Sequence, residues 1–142
     1  MERKQSVRLW ILLVVIALAG MFTQRMLSGG NTQNVQRVIG ESKLYTQEEI
    51  GRIMDVVERE FRREFRGCTL RELKYDEELS MRQSADWAAQ YDADEAVVLT
   101  SSFDVDGRGG DGSLNPNSSY TKWLWILTRT GSGDWILQTW GY

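Results

Sequence analysis

Two groups of residues in this chain have types and spacings that could do chemistry. The first is aromatic: Trp123, Trp125 and Trp140 fall in the stretch YTKWLWILTRTGSGDWILQTWGY, with Trp87 and Phe103 upstream of it. Flat apolar side chains of this size take up a ligand or a partner by stacking and burial, and they also fill cores. The second group is Asp104, Asp106, Asp111 and Asn115, with Asn117, spread along a glycine-rich run. Their oxygens are the donors that calcium requires. Counting Asp104 as the first ligand of a helix-loop-helix calcium loop places Asp106 third and Gly109 sixth. It also places Arg108 fifth, where a ligand belongs, and Asn115 twelfth, where a bidentate Glu belongs. The bland alternative is a chain of turns in which Asp and Asn side chains accept from nearby backbone N–H groups.

Other chemistry is constrained by what is missing. The sequence has no histidine, which removes the usual acid–base group near neutral pH and every His-containing triad or zinc site. Cys68 is the single cysteine, so no disulfide forms within the chain, and it reads as a buried structural thiol. Carboxylate-based hydrolysis would fall to Asp94, Asp104 or Asp106, and nothing in their spacing singles out a pair. No catalytic residue and no cofactor are assigned.

The elements that must position these groups follow from apolar periodicity. Trp123 to Leu127 and Trp135 to Trp140, separated by Gly131-Ser132-Gly133-Asp134, read as a hairpin at the heart of an antiparallel sheet. Large apolar residues at consecutive strand positions call for cover on both faces. One cover is a helix opened by the capping box Thr46-Gln47-Glu48-Glu49, with Ile50, Ile53, Met54, Val57, Phe61 and Phe65 on one face and Gly67 at its end. Burying those six side chains contributes about 1.5–3 kcal/mol each before entropy. Glu58 and Arg62 read as part of a solvated face. Cys68 to Tyr75 and Glu95 to Val105 read as strands, and Asp76 to Gln90 as a shorter, polar helix carrying Trp87. That helix is too polar to cover the second face completely, which leaves an aromatic surface open. Asp106 to Ser119 is the long loop between the last strands.

Four of the basic residues, Arg3, Lys4, Arg8 and Arg25, fall in the first 27 positions against Glu2 alone, whereas the whole chain has net charge -3. The remainder is therefore acidic, which argues against nucleic-acid binding. Leu9 to Phe22 carries no charge and follows a basic start, the pattern of a membrane anchor or a signal segment with the rest of the chain outside the cytoplasm. Leu18-Ala19-Gly20-Met21 has the form of a lipobox in which Met replaces the lipidated cysteine. The expected layout is a basic cytoplasmic start over 1–8, a transmembrane anchor or signal segment over 9–27, a polar tether over 28–43, and an extracytoplasmic α+β domain over 44–142.

From Glu41 onward the chain resembles a group of small uncharacterised extracytoplasmic domains of Gram-positive bacteria. The resemblance rests on ESKLYTQEEI, GCTL followed by Tyr75-Asp76-Glu77-Glu78, Trp87 with Ala93-Asp94-Glu95, GGDGSLNPNSSY, and the closing W-x-x-x-x-W-G-Y from Trp135. It implies location and fold, and no catalytic residue. The expected fold class is α+β: after the transmembrane helix and tether, one long helix packs on a curved four-stranded antiparallel sheet in the order α-β-α-β-β-β. That arrangement looks cystatin-like. The expected function is a single-pass, membrane-tethered binding or interaction domain whose aromatic sheet face, with Trp123, Trp125, Trp140, Trp87 and Phe103, takes a ligand, a protein partner or a second copy. Two alternatives are a carboxylate-dependent cell-envelope hydrolase and a structural envelope protein stabilised by calcium.

Overall fold

The computed structural model describes residues 10–18 and 29–142. Residues 10–18 are helical with exposed apolar side chains from Trp10 to Leu18. Among the described residues no helix is long and apolar enough to cross a membrane, and the transmembrane helix expected over 9–27 is corrected accordingly. The other residues of that range, the basic start and Met21 of the lipobox-like string lie outside the described residues.

The rest folds as β1 (Gln36–Ile39), α1 (Gln47–Glu64), β2 (Cys68–Tyr75), α2 (Glu77–Gln90), β3 (Glu95–Val105), β4 (Ser119–Arg129) and β5 (Ile136–Gly141). The five strands form one sheet in sequence order. β1 runs parallel to β2, and the other neighbours are antiparallel. The expected four-stranded antiparallel sheet is thus a five-stranded mixed one. The extra strand comes from the stretch read as a tether.

Its docking has a physical cause at Arg37. The guanidinium forks between Glu58 at 2.7 Å and Asp55 at 2.6 Å on α1, and the hydrogen bond to Glu58 raises the arginine's pKa. Glu58 is consequently buried rather than solvated, while Val35 and Ile39 pack on the core beside it. Upstream, Gly29 and Gly30 pass so close to α1 that a Cβ on either would meet a carbonyl oxygen, of Arg62 or Phe61, at 2.3 Å.

α1 begins as the capping pattern predicts, with the Thr46 side chain accepting from the Glu49 N–H at 3.1 Å. The return half of the capping box is absent: the Glu49 carboxylate reaches Arg129 instead. All six residues of the expected apolar face are buried. They pack with Leu70, Leu73, Leu99, Phe103, Trp125 and Leu127 into the main core on one side of the sheet.

Because strand side chains alternate, Ala96 and Val98 of β3 face the other way, and with Ile126 and Thr128 they are buried too. α2 packs against β3 and touches β4, so it covers that end of the second face. Its Ser80 hydroxyl accepts from the Val98 N–H at 3.0 Å, a position β2 no longer reaches because it ends opposite Leu99. The remainder of this face is polar on β2 and β3, with Thr69, Lys74, Thr100 and Ser102, and apolar on β4 and β5, where Leu124 lies opposite Thr100 and the exposed Ile136 opposite Thr128.

Candidate functional site

The aromatic residues gather at the C-terminal end of α1, on the same face of the sheet as the helix. Cross-strand pairing puts Trp125 opposite Trp140 and Trp123 opposite Ser101. A bulge shifts the register between Ser101 and Phe103, and Lys122 takes φ +60° within it. That one extra residue turns Tyr120 and Trp123 to the same side, where both pack on the core. Phe65, just past α1, is the hub: its ring lies 5.1 Å from Trp125, 5.7 Å from Trp140, 6.1 Å from Trp123 and 5.4 Å from Phe103.

The five aromatic candidates therefore separate. Trp125 and Phe103 have no exposed surface, and the Trp125 indole N–H donates to the Ser101 hydroxyl at 2.8 Å; both are core. Trp87 is on α2, stacked on Tyr91 and donating to Gln83. Trp123 and Trp140 remain at an opening. Trp140 is 38% exposed, and together the two indoles line a cleft of about 190 Å³ with Glu64, Phe65, Arg66, Cys68, Asp111, Ser113 and Leu114. Tyr142, 76% exposed, stands over Trp123 with ring centroids 5.2 Å apart. The Trp123 Nε1 is buried and has no hydrogen-bond partner among the described residues, an arrangement that costs about 1–3 kcal/mol unless an acceptor arrives.

The glycine-rich loop forms the other wall. It leaves and returns through one backbone pair, the Asn117 N–H donating to the Asp106 carbonyl at 2.9 Å, and the Asp106 N–H ties it to Gly67 at 3.0 Å. Gly109 has φ +75°, and a Cβ there would meet the Leu114 carbonyl oxygen at 2.4 Å. Gly109 is thus required for the fold of the loop, which seats Leu114 on the core.

The four oxygen donors considered for calcium do not converge. Asp104 bonds Ser119 at 2.6 Å and Arg71 at 2.7 Å, and these contacts, the Ser119 hydroxyl first, lower its pKa. Asp106 accepts from the backbone N–H groups of Gly110 and Arg108, which lower its pKa. Asp111 accepts from the hydroxyl and backbone N–H of Ser113, again with a lowered pKa. The backbone N–H of Asn115 donates to the Tyr120 hydroxyl. Among the described residues no group of three or more His, Cys, Asp or Glu side chains is arranged to hold a metal ion. Asp94, the remaining acid, accepts from the Gly131 N–H and so holds the β4–β5 turn. Cys68 lies beneath Gly110, its pKa pushed up to about 11 by burial and then by Asp106 and Asp111, which makes the thiol unreactive at neutral pH.

A second polar assembly, not foreseen in the sequence, lies at the opposite end of α1. Arg129 bridges Glu49 at 2.5 Å and Glu95 at 2.6 Å while its guanidinium stands 4.5 Å over the Trp135 ring. Trp135 donates to Glu49 at 3.4 Å, and Tyr45 sets its ring edge-on to Trp135 and Tyr75. Burial pushes the Tyr45 phenol up to about 12. A groove of about 540 Å³ runs beside this assembly; of its three arginines, Arg52 and Arg129 are paired with carboxylates, and Arg59 is exposed. The sequence signal was hidden because Glu49 and Arg129 meet across 80 residues.

No protein-family model, no curated protein and no solved structure matches this chain.

Proposed function

We propose that this chain is a binding or interaction domain that works at the cell membrane, outside the cytoplasm, and that docks its ligand or partner at the aromatic end of α1. The observation that carries the reading is the exposed pair Trp140 and Tyr142 beside a cleft that Trp123 and Trp140 line. Exposed indole and phenol rings beside a concave apolar opening are what docking sites are made of. The location is supported by the basic start before an apolar run and by the resemblance of residues 41–142 to small extracytoplasmic domains. A hydrolytic reading is less favoured because Asp94, Asp104 and Asp106 are each engaged in holding a turn or a strand pair.

The site is tested on the full chain by titrating a set of short peptides and cell-envelope sugars while following the indole N–H signals of Trp123 and Trp140. At least one class should shift both signals saturably, and the Trp123 shift should vanish in Trp140→Ala while that variant still melts cooperatively. The proposal fails if no class shifts them, or if the Trp123 shift survives Trp140→Ala.

A further inference from the structure

The chain enters the folded domain at the end of α1 that carries the exposed aromatic rings. The Gly30 N–H donates to the Arg62 carbonyl at 3.1 Å, and the Asn31 N–H donates to the Cys68 carbonyl at 2.9 Å. Those two points flank Phe65, whose ring lies 5.7 Å from Trp140. From Gly29 onward, then, the stretch expected as a tether is fastened to α1 and β2 and gives no slack. Gly29 comes seven positions after Phe22, the last residue of the uncharged apolar run, and seven extended residues reach at most about 25 Å. α1, with 18 residues, is itself about 27 Å long. The attachment thus keeps the Trp140 end close to whatever surface takes up the apolar run and lets the Trp135 end stand a helix length away. We infer that the Trp140 end of the domain rests on the lipid bilayer, with Tyr142 and the exposed part of Trp140 seated among the head groups. The inference goes beyond the binding reading above: it rests on that reading only for the placement of the chain at the membrane, and it leaves the cleft to its ligand.

Two features support a lipid surface as the partner. Indole and phenol rings combine an apolar body with one polar edge, which suits the layer between water and hydrocarbon, and here Trp140 is 38% and Tyr142 76% exposed. Attachment supplies the rest. Two rings make a weak contact on their own, but the nearby apolar run makes that contact intramolecular, at an effective concentration on the order of millimolar. Charge contributes little: Arg63 is paired with Glu60 and Glu64, Arg66 and Arg108 stand beside the Asp106 carboxylate, and the exposed Lys122 is offset by the exposed Asp111. The rings carry the contact, and zwitterionic phosphatidylcholine is enough for it.

The test uses the deuterated full chain in phosphatidylcholine nanodiscs, with and without a fraction of lipid that carries a nitroxide on its head group. The nitroxide should remove most of the intensity of the Trp140 indole N–H and the Tyr142 backbone N–H. It should leave the Trp135 indole N–H, about a helix length away, unchanged. Because Tyr142 is exposed, Tyr142→Asp keeps the fold, and by putting a carboxylate into the contact it should restore most of the Trp140 signal. Loss at Trp140 that persists in this variant shows nearness without contact and overturns the inference. Equal loss at Trp135 and Trp140, or loss at neither, overturns it as well. A chain that does not co-purify with the nanodiscs overturns the inference together with the membrane placement. The cleft is decided separately, since a saturable Trp123 shift in the peptide and sugar titration stands in each of these cases.

Discussion

The two ends of α1 solve the same problem, closing the gap between a helix and a twisted sheet, with different materials. At the N-terminal end the filling is polar: Glu49, Arg129 and Glu95 are joined by short ion pairs and roofed by Trp135 and Tyr45. The three charges of that network are all paired with one another. At the C-terminal end the filling is aromatic, and the rings grade from Trp125 with no exposure to Trp140 and Tyr142 at the surface. Its polar fittings are incomplete, with one indole N–H unbonded. A closed network stabilises and orients the helix. A graded apolar cluster with an open edge does so as well, and it still has surface left to offer.

The largest effect that separates the two roles is expected within the aromatic end itself. Trp125→Ala removes a wholly buried ring and its bond to Ser101, and should destabilise the domain by about 3–5 kcal/mol. Trp140→Ala should destabilise less, by about 2 kcal/mol, since over a third of that residue is already in water. Chemical denaturation of both variants checks this, and equal losses would erase the distinction between core and rim.

A smaller effect is expected at the charged end. Arg129→Met keeps the apolar stem against Trp135 but leaves Glu49 and Glu95 facing each other. The expected loss is about 1–2 kcal/mol, discounted because the Arg129 and Glu49 side chains are each 20% exposed. Adding Glu49→Gln should recover part of it, and a double-mutant cycle measures how much. If the two losses simply add, the network is not a unit.

The smallest effect is a pH dependence at Tyr45. Burial raises its pKa from the ordinary phenol value of 10.0 to about 12 in the folded chain. The stability it contributes is therefore fully present below pH 10 and is lost as the pH rises toward 12, because only the unfolded chain ionises readily there. Thermal melts across that range should show a steeper alkaline decline in the wild type than in Tyr45→Phe. No such difference should accompany Trp140→Phe at the other end.

Much of the scaffold was legible in advance. The α1 stripe and its Thr46 cap, and the strands Cys68–Tyr75 and Glu95–Val105, declare themselves because local periodicity decides which side chains can share a face. β1 was not legible: Gln36–Ile39 has four residues and only two apolar ones. It becomes a strand because Arg37 finds Asp55 and Glu58, 18 and 21 positions away. The same limit applied to the site. The tryptophans were expected on a sheet face that the short helix leaves open; alternation puts Trp123, Trp125 and Trp140 on one side of the sheet, and it is the side that α1 covers. Which of them faces water depends on how far the ring of Phe65 reaches, and on the bulge at Lys122.

By itself, then, the sequence determined what each segment prefers: helix or strand, apolar side or polar side, and a glycine-dependent loop where Gly109 must take positive φ. Those choices are set by neighbours a few residues away, so a linear string carries them. Only the tertiary structure decided that Trp125 is core while Trp140 is rim, that Glu49 serves Arg129 rather than its own helix cap, and that the acids of the loop are held apart. Each of these depends on which distant side chain arrives first at a shared position, and burial and pairing energies at that position are properties of the assembled fold.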